Sequence, residues 1–70
     1  METLGTVLRD CREQSGMSIR ELARRVGWYP SSISRFESGE YLPDIPTLRA
    51  IVDALHLDQE RLDKIRRAIL

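Results

Sequence analysis

The chain is 70 residues long, and its 11 lysines and arginines balance its 11 aspartates and glutamates, which gives zero formal net charge at pH 7. This length supports one compact domain, and the charge excludes a generic binder of polyanions, which would be strongly basic throughout. The single Cys11 excludes an internal disulfide, the acidic Glu2 after Met1 argues against a secretion signal, and no apolar run approaches the roughly 18 residues that span a bilayer. We therefore expect one domain over residues 1–70 of a soluble, cytoplasmic protein.

Hydrophobic residues at helical spacing predict the first helix. Apolar residues recur from Leu4 to Cys11, and Gly16 supplies a stop, so we place this helix at about residues 3–15. On such a stripe Cys11 is expected to be a core residue, because a catalytic thiolate needs a nearby base or cation.

Two more helices follow, and their boundaries have physical causes. Ser18 and Glu21 have the spacing of a capping box, which satisfies free amides at the start of a second helix that ends at Val26. Pro30 suits the first turn of a third helix because its missing N–H costs nothing there, and Gly39 ends that helix.

The second half of the chain predicts two further helices. Asp44 caps a fourth helix, which tolerates Pro46 in its first turn and ends near His56. Asp58 caps a fifth helix over about residues 59–70. No alternating run of β-branched residues competes, so we predict an all-α fold, a bundle of five helices joined by loops of two to five residues.

The second and third helices have the spacing of a helix-turn-helix over about residues 18–39. Ala23 lies one turn before the junction, where a small side chain lets the two helices of the motif cross closely. Gly27 suits the tight exit because such a turn often needs a left-handed backbone. The commonest role of this motif is to read the major groove of DNA.

The outward face of the third helix is polar and consists mainly of short side chains. Its members fall at positions i, i+3, i+4 and i+7, and they are Ser31, Ser34, Arg35 and Ser38. A merely solvated helix more typically carries long Lys and Glu pairs, whereas serines and one arginine allow close approach to another molecule. Exposed serines are also ordinary, so a solvated surface is the alternative.

Zero net charge conceals an uneven distribution of charge along the chain. Residues 18–39 hold four arginines against two glutamates, whereas residues 40–60 hold one arginine against five acidic residues. The last ten residues are basic again. The chain therefore has a candidate surface for an anionic partner.

In the order and spacing of these residues, the chain resembles the Cro and phage-repressor family of helix-turn-helix proteins, often called Xre-type. The similarity covers roughly residues 4–62. The matching positions are Leu4, Gly5, Arg9, Arg12, Ser18, Glu21, Leu22, Ala23, Gly27, Ile33, Arg35, Glu37, Gly39, Pro43, Leu48, Ala54 and Leu55. The resemblance implies that the third helix lies in the major groove and that the start of the second helix touches backbone phosphate.

The resemblance also implies individual DNA contacts. Arg35 is expected to be the principal specificity residue, because two N–H donors of its guanidinium group can bond both acceptors of guanine. The alternative is that Arg35 contacts phosphate or solvent. The predicted DNA-binding set is Tyr29, Ser31, Ser34, Arg35, Ser38, Arg20 and Arg24. In this set Arg20, Arg24 and Tyr29 position the phosphates, while Arg35 and the serines read bases.

Two carboxylates depart from the family pattern in the loop after the third helix. Glu40 and Asp44 stand where relatives often carry basic or amide groups beside the DNA backbone, and both repel phosphate. Asp44 has a role as a helix cap, but Glu40 has no expected role beyond solubility. We therefore expect this loop to lie farther from DNA.

Two contacts are expected between elements. The resemblance implies a largely buried ion pair between Arg12 and Glu37. Apolar residues of the fifth helix that extend beyond Leu62 favour a homodimer through about residues 59–70, and they are Ile65, Ala68, Ile69 and Leu70. The alternative is that Ile65 and Ile69 fold back onto the first helix and leave a monomer.

The preferred function is a sequence-specific DNA-binding transcriptional regulator, a homodimer on a pseudo-palindromic operator in the nucleoid. An enzyme is disfavoured, because the chain has one His, a core Cys, no phosphate-binding glycine loop and no paired carboxylates in a plausible pocket. No metal, cofactor, membrane or small-molecule ligand is expected. The alternative is a protein-interaction module or antitoxin-type partner protein with the same fold, which the neutral charge would allow.

Overall fold

The computed structural model describes residues 3–69 and has five helices and no strand within that range. The helices are α1 (Leu4–Gln14), α2 (Ile19–Val26), α3 (Pro30–Ser38), α4 (Ile45–Leu55) and α5 (Gln59–Ile69). The predicted all-α class is confirmed, but the loop between α3 and α4 covers residues 39–44 and is longer than expected. Leu70, which the dimer prediction includes, lies outside the described residues, as do Met1 and Glu2.

Side-chain caps begin the helices at the predicted residues. The Ser18 hydroxyl accepts the backbone N–H of Glu21 at 3.0 Å, and the Asp44 carboxylate accepts that of Thr47 at 2.9 Å. These bonds satisfy amides that have no partner inside the helix. The capping box at α2 is half formed, because among the described residues the Glu21 carboxylate faces arginines of its own helix.

Left-handed residues end three of the helices. Gly27 ends α2 with φ at 77°, and Gly39 ends α3 with φ at 85°. Glycine adopts this conformation without steric cost because it has no Cβ. His56 ends α4 in the same region with φ at 51°, which a residue with a side chain adopts only with strain.

The core takes apolar side chains from every helix. Its buried members are Val7, Leu8, Cys11, Leu22, Ala23, Ile33, Phe36, Leu48, Ile51, Leu55 and Ile65. Helix α1 packs on α3 and α5, while α2 packs on α3 and α4, so α3 rests on both preceding helices. Cys11 is a core residue as predicted, and burial raises the pKa of its thiol.

Helix α5 corrects part of the dimer prediction. Ile65 is 4% exposed and belongs to the core, because α5 packs against α1, so it offers no surface to a partner. Ala68 is partly buried against the same core, whereas Ile69 stays half exposed. The folding-back alternative is therefore right for Ile65, whereas half of the Ile69 side chain remains accessible.

Close contact between α1 and α3 fixes the position of α3. A Cβ on Gly5 would lie 2.6 Å from the carbonyl oxygen of Phe36 and 2.5 Å from that of Glu37, so only glycine lets the two backbones approach this closely. Between the same two helices, Arg12 Nε donates to one carboxylate oxygen of Glu37 at 2.6 Å, and Nη2 donates to the other at 3.1 Å. The predicted ion pair is confirmed, and both side chains are less than a tenth exposed.

Candidate nucleic-acid interface

Helix α3 separates a buried face from an exposed polar face. Ile33 and Phe36 point into the core, where α1 and α2 hold them. The exposed face carries the predicted base-facing residues Ser31, Ser34, Arg35 and Ser38. The structure thus brings these four residues together on one surface, with the core fixing the orientation of the helix beneath them.

The entrance to α3 presents two aromatic side chains in different ways. Tyr29 is the N-cap residue and is 77% exposed, with no hydrogen bond from its side chain to the helix start. Trp28 lies edge-on against Phe36, with ring centroids 5.9 Å apart, so it covers the core. Of these two aromatic residues, Tyr29 is the one that is mostly exposed at the start of α3.

The cations of α2 are compensated by a neighbouring acid. Arg24 and Arg25 both pair with Glu21, and the hydrogen bond from Arg24 lowers the pKa of the Glu21 carboxyl. Arg20 is exposed and makes no ion pair with any residue from 3 to 69. Of the predicted phosphate contacts on this helix, Arg20 is therefore the one whose charge is uncompensated nearby.

Ser38 uses its hydroxyl within the protein. The hydroxyl donates to the carbonyl of Arg35 at 3.1 Å, and it accepts the backbone N–H of Glu40 at 3.4 Å. Both bonds belong to the end of α3, where helical carbonyls lack partners. A DNA contact by Ser38 stays a prediction, and it would have to form alongside or replace these bonds.

Sequence reasoning missed two partners of Arg35. Glu40 Oε2 lies 3.2 Å from Arg35 Nε, and the Arg35 guanidinium stands over the ring of Tyr41, 5.6 Å from its centre. The expectation that Glu40 serves only solubility was wrong, because Gly39 reverses the chain and returns the next residues to Arg35. The left-handed glycine that ends α3 was the available signal, since a chain that turns back there passes the last turn of the helix.

The described residues offer no metal site and no membrane span. Among residues 3–69, no three His, Cys, Asp or Glu side chains are grouped so that they could hold an ion. In the same range, none of the helices has the length and apolar character needed to cross a bilayer.

The fold and this exposed face define a helix-turn-helix protein. The family model described as "Helix-turn-helix domain" matches residues 3–65, so the chain belongs to that family, and the resemblance to its Cro and phage-repressor branch is confirmed. The chain is 33% identical over 55 residues to the "ImmF control region 10 kDa protein" of Bacillus phage phi105, a match that covers 79% of the chain. The same match spans 61% of the length of that curated relative.

Proposed function

We propose that this protein is a sequence-specific DNA-binding transcriptional regulator that inserts α3 into the major groove of its operator. The observation that carries the proposal is the exposed face of α3, where three serines and Arg35 stand on a helix held by α1 and α2. Membership of the helix-turn-helix family and similarity to a protein of a phage control region support a DNA-binding, non-enzymatic regulator in general.

The proposed contacts divide into base reading and phosphate positioning. Ser31, Ser34 and Arg35 face base edges, and Arg35 supplies the two donors that match the acceptors of guanine. Arg20 and the Tyr29 hydroxyl face the phosphates, which set the register of the helix in the groove. Ser38 and Arg24 complete the proposed interface, although each first engages a group of the protein itself.

The regulator is proposed to act as a homodimer on a pseudo-palindromic site. One recognition helix reads only a few base pairs, and a two-fold dimer that places two such helices about 34 Å apart would reach two successive major grooves. Support comes from Ile45 and Ile69, which remain at least half exposed beside the groove between α4 and α5.

The test begins with DNA selected by the wild-type protein from a randomised duplex pool. Fluorescence anisotropy then measures binding to the selected and random duplexes at several salt concentrations. We expect Arg35→Ala to weaken binding to the selected duplex by about 1–3 kcal/mol and to relax the base preference at one base pair per half-site. Arg20→Ala should weaken binding to all sequences equally. It should also reduce the slope of the affinity against salt concentration by the amount of about one phosphate contact.

Arg67→Ala is the matched control, because it removes an exposed arginine from the last turn of α5. It should leave the base preference unchanged. Failure of the wild type to bind any duplex, even at low salt, would contradict the proposal and favour a protein-interaction module with the same fold.

A further inference from the structure

The loop after α3 folds back onto the residue expected to read DNA. Gly39 turns the chain with a left-handed backbone, and the backbone N–H of Tyr41 then donates to the carbonyl of Arg35 at 3.3 Å. This hydrogen bond fixes the loop against the last turn of α3. Residues 40 and 41 are consequently placed beside Arg35 by the backbone and not by side-chain attraction alone.

Two side chains of this loop lie against the guanidinium of Arg35. The Glu40 carboxylate lies 3.2 Å from Nε, and the Tyr41 ring covers one face of the guanidinium at 5.6 Å. No hydrogen bond within residues 3–69 uses Nη1 or Nη2 of Arg35. These two terminal nitrogens of the guanidinium group are therefore available to another molecule.

The two available donors of Arg35, Nη1 and Nη2, match the acceptors of guanine. Guanine presents N7 and O6 as neighbouring acceptors in the major groove, and two donors of one arginine can bond both. A phosphate contact by Arg35 would instead bring the Glu40 carboxylate towards another negative charge. The pair thus favours a base contact by restricting the arginine, and it disfavours a phosphate contact by repulsion.

We propose that Glu40 is a positioning residue that sets Arg35 for guanine and so increases sequence discrimination at the expense of non-specific affinity. Tyr41 supports the same orientation from the face of the guanidinium. This inference rests on the proposed function, because it assigns a role to Glu40 only when α3 lies in the major groove. It also gives an acidic residue in the loop after α3 a role other than solubility.

The competing explanation is that Glu40 simply inhibits binding by occupying Arg35. The two differ in what happens when the carboxylate is removed. Inhibition predicts tighter binding to every sequence with base preference unchanged. Positioning predicts tighter binding to random DNA but a smaller preference for guanine.

The experiment compares wild type, Glu40→Ala, Glu40→Gln and the control Glu60→Gln on duplexes that differ only at the base pair read by Arg35. That position is the one at which Arg35→Ala loses preference. A bidentate arginine discriminates between bases by roughly 5- to 150-fold, and we expect Glu40→Ala to reduce this ratio at least about fivefold while it strengthens binding to random DNA. Glu40→Gln keeps an oxygen near Nε and should recover part of the preference.

Glu60→Gln removes the same charge from α5, beside α1, and should leave the discrimination ratio unchanged. The free proteins provide an independent readout, the ¹⁵N–¹H resonance of Arg35 Nε. We expect this resonance to shift in Glu40→Ala and to stay in place in Glu60→Gln.

Three results would overturn the inference. An unchanged Nε resonance in Glu40→Ala would show that the pair is absent in solution. An unchanged discrimination ratio, with or without tighter binding, would make Glu40 an inhibitor or a bystander while leaving the proposed function intact. A wild-type protein with no base preference would overturn the inference and the proposed function together.

Discussion

Arg12 carries a positive charge into the contact between α1 and α3, where its side chain is almost fully covered. Besides its two bonds to Glu37, it donates from Nη1 to the carbonyl of Met17 at 2.8 Å. The hydrogen bonds with Glu37 raise the pKa of the guanidinium and outweigh the opposite effect of burial. The pair therefore ties three parts of the chain together while keeping both charges compensated.

Removing one member of this pair should cost much more than removing both. We expect Glu37→Ala to lower the free energy of unfolding by about 3–5 kcal/mol, because it leaves a buried guanidinium without its counter-charge. The double variant Arg12→Met, Glu37→Leu should lie near the wild type. Urea denaturation measures the free energy of unfolding of the wild type, the single variant and the double variant. A Glu37→Ala variant as stable as the wild type would show that the pair is not important for the fold.

Asp44 makes stability depend on pH through its cap on α4. Hydrogen bonds from the side chain and backbone of Thr47 lower the pKa of its carboxyl. A lowered pKa in the folded state adds stability above the unfolded value of about 3.9, and this stability is lost as the pH falls through the folded value.

We therefore expect the wild-type melting temperature to fall below about pH 4 more steeply than that of Asp44→Asn, since asparagine caps without titrating. Thermal denaturation monitored by circular dichroism from pH 7 to pH 2.5 checks this. Asp10→Asn removes an exposed carboxylate from α1, away from this cap, and should keep the wild-type slope. Parallel curves for the wild type and Asp44→Asn would contradict the assigned role of the cap.

Helix boundaries could be predicted from the sequence because each depends on residues a few positions apart. Ser18 and Asp44 cap as expected, and Gly39 ends α3 as expected. Contacts between elements could not be predicted in the same way. The need for Gly5 arises from the distance between two backbones, and the pairing of Glu40 with Arg35 arises from the path of a loop.

The end of α4 combines a predicted position with an unfavourable residue. His56 holds a left-handed conformation that costs a non-glycine residue about 1–2 kcal/mol. We expect His56→Gly to raise the free energy of unfolding by about 0.5–1 kcal/mol, because the greater freedom of glycine in the unfolded chain offsets part of the gain.

Gly27→Ala is the matched experiment in the opposite direction. Gly27 has the same type of backbone, and nothing lies within 4 Å of an added Cβ, so strain alone should destabilise this variant by about 1 kcal/mol. Urea denaturation measures both changes. Loss of stability in His56→Gly would mean that the imidazole makes a contribution greater than the strain of its backbone.

At the scale of the whole molecule, zero net charge is compatible with a DNA-binding face. Two of the three arginines proposed for that face are each matched by an acid, with Glu21 beside Arg24 and Glu40 beside Arg35, while Arg20 is not. Such compensation reduces attraction to phosphate in general, which is the part of binding that does not depend on sequence. The proposed regulator would therefore rely on base contacts and on a second copy for affinity.

The groove between α4 and α5 is the surface that we propose for this second copy. Its rim carries Ile45, 65% exposed, and Ile69, 50% exposed, with Leu62 partly buried between the helices. Arg49, Asp53 and Arg66 line the same groove, so a two-fold contact can pair unlike charges around an apolar centre. Ile65 belongs to the core and is unsuitable for a test, because a charge there would unfold the monomer.

We expect the wild type to dimerise at micromolar concentration and Ile69→Asp to be monomeric with an unchanged circular dichroism spectrum, because the contact would cover a charge that has no partner. Leu42→Asp is the control, since Leu42 is 78% exposed in the loop after α3 and lies outside the groove. Sedimentation equilibrium gives the association constants. A wild type that stays monomeric at high micromolar concentration, or an Ile69→Asp variant that dimerises as the wild type does, would exclude this groove as the dimer interface.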